Sequence, residues 1–248
     1  MENYLAYFFI YGLLGWMLEV SYQALKTGKF INRGFLNGPI CPIYGLGACT
    51  VIFFLSSIAD QNRLVLFIGS IIIASVIELI TGILLDKIFH KHWWDYSDRR
   101  LNLGGYICLE FSIAWGFLCL FLYDINHPIV KKLANIIHPQ IKTYILAFFT
   151  IVIIIDFIST INTLIGLNKR FKLIDKVNHE LRNVSDDIGE KIYQGTIKLE
   201  DIQEDIKFNK YQERRILKAF PNLRKEIDRI EELYISKIDE NLRKTYKK

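Results

Sequence analysis

Four carboxylates lie inside long apolar stretches of this 248-residue chain: Glu19, Glu78, Glu110 and Asp156. An ionisable group in hydrocarbon is costly, so it faces a bundle interior or a wet cavity, where it can hold a cation, relay a proton or bond a neighbouring helix. At 1.5 Å rise per residue they lie roughly 9, 12, 8 and 15 Å from the helix ends that share one side, a single depth band drawn from four segments. Small and polar residues recur beside them at helical spacing: Gly12, Gly15 and Gln23 with Glu19, Ser75 and Gly82 with Glu78, and Ser159, Thr160 and Thr163 with Asp156. Close helix packing in lipid uses such faces. The pattern predicts a polar, acidic cavity for a cation, a polar ligand or a proton. Spacing leaves one alternative open, in which the carboxylates only bond helix to helix.

Two glycine-rich stretches bring further candidates. RGFLNGPICPIYGLG, residues 33–47, contributes Arg33, Asn37 and Tyr44, and HKHWWDYSDRRLNLGGY, residues 90–106, contributes Asp95, Tyr96, Arg99 and Asn102. Together with the four carboxylates these are the expected substrate- or proton-binding residues, with Arg33 and Arg99 as the nearest counter-charges. The first stretch is too apolar for a surface loop, and its helix breakers predict a segment that dips back into the membrane, where protein or water must cover its backbone. Pro42 then opens the next helix at a position where a missing N–H costs nothing. An ordinary tight connection remains the other reading. Trp93, Trp94 and Tyr96 have the composition of an interfacial anchor. His90 and His92 lack the i, i+4 spacing of a helical metal pair, so no metal, no cofactor and no catalytic residue is assigned.

The elements that must position these residues are apolar segments near 4–25, 43–59, 64–86, 105–123 and 143–166. A hydrocarbon core of about 30 Å needs about 20 such residues per helix. The first segment lacks a basic n-region and a small-residue cleavage site, and it reads as a retained span. The fold class expected is all-α, a polytopic membrane bundle of about five helices over residues 1–167, followed by a helical cytoplasmic extension over 168–248. Charge follows the same division: 11 of the 31 Lys and Arg and 10 of the 26 Asp and Glu precede residue 168, leaving 20 and 16 beyond it. Lys26, Lys29 and Arg33, then Lys87, Lys91, Arg99 and Arg100, then Lys169, Arg170 and Lys172 all fall on one side of the alternating spans. Only Arg63, Lys131, Lys132 and Lys142 fall on the other. The positive-inside rule places the N-terminus outside and the tail in the cytoplasm. The stretch Ile129–Ile141 is expected to lie flat as an interfacial helix.

The tail repeats Phe171, Ile174, Val177, Leu181, Val184 and Ile188 at alternating spacings of three and four, an amphipathic, coiled-coil-like face. Further helices are predicted near 199–220 and 222–245, folding on the tail itself or on a partner. Its interspersed charges describe solvated helix faces, so no nucleic-acid partner is expected. Cys41, Cys49, Cys108 and Cys119 lie at or inside helices without CxxC spacing and are read as packing residues.

On GWMLEV (15–20), RGFLNGPICPIYGLG (33–47), ELITGILLDKIF (78–89), WWDYS (93–97) and NLGGYICLEFSIAWG (102–116), the chain resembles the type IV ABC-transporter permease family, the CmpB-like group of bacterial membrane proteins. The resemblance covers roughly residues 4–165. It implies a membrane-spanning transporter component in the cell membrane, working with a separate ATPase because no GxxxxGK[ST] is present to hold nucleotide phosphates. A bundle this small implies a homodimer if it is to line a path. Two other functions compete on the residues alone: an intramembrane enzyme acting on a lipid-linked or small polar substrate, and a scaffold recruiting partners through its tail. No recognised catalytic motif favours the enzyme.

Overall fold

The computed structural model describes residues 3–59, 62–89, 92–184 and 211–220. These are mostly helical, and four helices are long and apolar enough to cross a membrane: Tyr4–Thr27, Arg63–Phe89, Leu109–Ile136 and Pro139–Lys169. Large apolar side chains such as Ile72, Phe117, Phe148 and Ile155 stay exposed on them. An apolar exterior of this extent matches lipid as the solvent. The fifth expected span, α2 (Pro42–Ala59), is shorter.

Its shortness has a local cause. Helix α1 (Tyr4–Thr27) stops at Gly28, whose φ of 67° places it in the left-handed region, with its N–H on the Ala24 carbonyl at 2.8 Å. A glycine reaches that conformation without a Cβ penalty. The chain then returns along α1 as irregular backbone until the Cys41 N–H donates to the Gly12 carbonyl at 2.9 Å. Fifteen residues separate Gly12 from Thr27, so the loop climbs about 22 Å back along the helix it has just left. Pro42 therefore starts α2 partway up the bundle. From there α2 runs antiparallel to α1, with Tyr44 against Gly15, Gly45 against Phe8, and Cys49 bonded to the Tyr4 carbonyl.

Helix α3 (Arg63–Phe89) turns back beside α2. Asn62 caps it, its Oδ1 accepting from the N–H groups of Leu64 and Val65 at 3.0 and 3.1 Å. The fully buried Leu66 packs on Val51 and Leu55. A second loop follows, in which β1 (Asn102–Leu103) and β2 (Ile107–Cys108) form an antiparallel hairpin with Asn102 opposite Cys108. Gly104 and Gly105 turn it with φ of 60° and 74°. This loop also folds back on its helix: Trp94 and Tyr106 cover Gly82, and the Tyr106 hydroxyl donates to Asp86 at 2.7 Å. The two returning loops meet where Phe35 packs on Trp93, ring centroids 5.5 Å apart.

Helix α4 (Leu109–Phe121) continues through a π turn (Leu122–Asn126) into α5 (His127–Ile136). Pro128 lacks an N–H and its ring crowds the carbonyl four residues earlier, and a wider turn is the way a helix absorbs that. Of the stretch expected to lie flat as an interfacial helix, residues 129–136 thus run on from α4, with Val130 and Ala134 buried against Tyr7, Tyr11 and Ile52, while residues 139–141 open the next helix. The Tyr11 hydroxyl lies 3.0 Å from His127 Nδ1 in the same contact. Among the described residues no disulfide links Cys41, Cys49, Cys108 and Cys119, and Cys41 and Cys108 are buried.

Helix α6 extends from Pro139 to Val184, passing through residue 167 without a break. The chain divides into two compact units, Met1–Thr160 and Ile161–Lys248. In the second, Leu164 and Leu167 are buried, as are Ile216 and Leu217 of α7 (Tyr211–Ala219), and Thr163 donates to Gln212 at 2.8 Å. The amphipathic face expected from Phe171 to Ile188, residues 199–210 of the second tail helix and the third helix at 222–245 lie outside the described residues and side chains, as does His90.

Candidate functional site

The four carboxylates fall in three places. Glu19 and Glu78 belong to one polar centre, built where α1, α2, α3 and α4 face each other. Gly15, one turn before Glu19, leaves room for the Tyr44 ring, and the Tyr44 hydroxyl donates to Glu19 Oε1 at 2.6 Å. Arg33, carried back up α1 by the first loop, sets its Nε 3.6 Å from Glu19 Oε2 and donates from Nη1 to Gln23 at 3.1 Å. Glu19 therefore has its counter-charge.

Glu78 does not. It is 7% exposed, and no Lys or Arg among the described residues pairs with it. Two neutral donors hold it instead: the Tyr96 hydroxyl on Oε1 and the Trp115 indole N–H on Oε2, each at 3.1 Å. Tyr96 reaches it because the second loop returns along α3, and its ring stacks on Phe111 with centroids 4.8 Å apart. Burial, and then the adjacent Glu78 carboxyl, holds the Tyr96 phenol well above its ordinary range, so it stays a donor at any physiological pH. The Tyr44 and Trp115 rings meet edge to face at 5.7 Å, which joins the Glu19 and Glu78 halves. Beside them, between α2, α3 and α4, is a cavity of about 100 Å³ with Glu78, Tyr44 and Trp115 in its wall and Val51, Ile77 and Leu118 among its apolar lining.

Asp156 forms a separate centre at the first loop. Its Oδ1 accepts from the Asn37 N–H at 3.1 Å and from the Asn37 side-chain amide at 2.8 Å, and its Oδ2 accepts from the Gly38 N–H at 2.7 Å. Thr160 closes the group, accepting from Asn37 at 3.1 Å. Glu110 is on the outside of the bundle, paired with Arg99 at 3.1 Å, their side chains 63% and 53% exposed. Asp95 and Asn102 shape the second loop: Asp95 accepts from the Ser97 N–H, and Asn102 bonds the carbonyls of Ser97 and Arg99 and the N–H of Gly105.

Of the expected residues, Glu19, Arg33, Tyr44, Glu78 and Tyr96 converge, Asn37 and Asp156 pair elsewhere, and Asp95, Arg99, Asn102 and Glu110 lie in or beside the second loop. Sequence reasoning missed Trp115. Its signal was an indole N–H inside an apolar span, which requires a buried acceptor. The Ser75–Ser112 hydrogen bond at 2.8 Å, on the same α3–α4 seam, was half visible in the Ser75 stripe.

A family model described as "Putative ABC-transporter type IV" matches residues 6–161. No curated protein and no solved structure matches the chain.

Proposed function

The chain belongs to this type IV ABC-transporter family, matched over residues 6–161, and from that premise we propose that it is the membrane-spanning component of a transporter driven by a separate ATPase. Substrate or proton contacts Glu78. The observation that carries this reading is a buried carboxylate with no counter-cation among the described residues, held by two neutral donors beside a cavity. Such a group inside a span marks a substrate or proton path.

Five helices cross the membrane in this reading, α2 doing so together with the first loop, which re-enters from the cytoplasmic side. The excess of Lys and Arg on the loops after α1 and α3 supports a cytoplasmic tail and an N-terminus outside. The two loops, in contact through Phe35 and Trp93, form the cytoplasmic face on which an ATPase docks. The 18-residue apolar window of α6 is only 6% buried, which supplies surface for lipid and for a second copy of the chain.

Replacing Glu78 by Gln keeps shape and removes charge. A hydrogen bond to a charged group is worth about 1.5–3 kcal/mol, so ATP-driven uptake in vesicles holding this chain and its ATPase should fall about ten- to a hundredfold at unchanged expression. Wild-type uptake by the Gln variant, or purification with no ATPase attached, would count against the proposal.

A further inference from the structure

We propose that the cavity between α2, α3 and α4 binds a small lipophilic ammonium ion, an alkylamine whose head sits on Glu78 and whose chain lies among Val51, Ile77 and Leu118. This rests on the reading of Glu78 as the substrate contact and adds the chemical class.

The Glu78 carboxylate selects the head group. An ionised carboxylate accepts at about four lone-pair sites. Tyr96 and Trp115 use one on each Glu78 oxygen, which leaves acceptor capacity on both. A primary ammonium brings three donors and a positive charge to it. Trp115 and Tyr44 stand in the same wall and give the site aromatic surface, which suits an organic cation. A bare metal ion fits poorly, because hard cations require about six oxygen ligands and this wall offers one carboxylate and a phenol already bonded to Glu19.

The lining argues for a hydrocarbon body. Val51, Ile77 and Leu118 cannot replace the hydration shell of a polar ligand. Size is the second restriction. A closed cavity of about 150 Å³ takes benzene, so about 100 Å³ in this half-open cleft suits roughly four or five non-hydrogen atoms within its walls. Gly47 supplies independent geometry: it lines the cavity, and a Cβ built on it would meet nothing within 4 Å. Unlike Gly15 and Gly45, whose missing side chains let helices touch, Gly47 faces open space.

The test is calorimetric titration of the full chain in lipid nanodiscs with n-butylammonium, 1-butanol and butyrate, without ATPase or gradient. Saturable binding of n-butylammonium is expected, weakened about tenfold or more for 1-butanol and for Glu78→Gln, and lost for butyrate. Gly47→Leu, which grows into open space, should weaken it equally without lowering the melting temperature, and this variant separates an occupied cavity from a fold defect. Equal binding of 1-butanol and n-butylammonium would overturn the proposal by showing a void for lipid tails. So would full binding by Gly47→Leu, or no saturable binding at all. Amine binding in a chain that supports no uptake would sink the transporter reading alone, and Glu78-dependent uptake without amine binding would sink this inference alone.

Discussion

Asp156 and Glu110 have the same chemistry and opposite surroundings. Glu110 meets Arg99 in solvent-accessible space, where an ion pair contributes about 0–1 kcal/mol. Asp156 takes two backbone N–H groups and an amide from the first loop, and no water-facing alternative is equivalent once that loop lies against α6. Replacing Asp156 by Asn turns one acceptor into a donor that faces the N–H of Gly38 or Asn37. A buried donor left unsatisfied costs about 1–3 kcal/mol, so Asp156→Asn should lower the melting temperature in detergent, and it should expose the buried Cys41 thiol to maleimide in a background where the other cysteines are replaced. An unchanged melting curve with Cys41 still protected would show that the loop does not depend on this carboxylate. The need for an inward carboxylate on that face was visible in the run from Asp156 to Thr163; its partners were not, because they are backbone groups 118 and 119 residues away.

The glycines of α1 and α2 divide into two kinds at the scale of the element. At Gly15 a Cβ would collide with the Tyr44 ring, which is already fixed by its bond to Glu19 and its contact with Trp115. Gly15→Ala should therefore destabilise by about 1–3 kcal/mol through overpacking. Gly47→Ala, with open space around its Cβ, should stabilise α2 by up to about 1 kcal/mol, the helix-propensity difference. Thermal unfolding of the two variants side by side reads these opposite signs, and a shift of the same sign in both would refute the distinction. Sequence could not separate the two positions: both are glycines in apolar helices, and only the neighbouring helix decides which one is crowded. The same limit applies to α2 as a whole. Pro42 announced where the helix opens, but the level at which it opens follows from the Cys41–Gly12 bond between two elements.

At the scale of the molecule, the unit Met1–Thr160 contains every side chain of the Glu78 and Asp156 centres. The family match, residues 6–161, covers nearly the same span. Deleting residues 170–248 should leave n-butylammonium binding and the helical circular-dichroism signal per residue of the remaining chain intact. Loss of binding in that truncation would move function toward the tail and favour a scaffold. Charge asymmetry, apolar runs, helix breakers and the family motifs could all be read from the sequence, because each is a property of residue type and spacing along one strand of chain. Which carboxylates are neutralised, which face a cavity and which face solvent was decided by the tertiary structure alone. Two loops folding back on their own helices carry Arg33 to Glu19, Asn37 to Asp156 and Tyr96 to Glu78. Helical periodicity orients a side chain around its own axis, while the electrostatic state of a buried carboxylate depends on groups that other elements bring within about 3 Å of it.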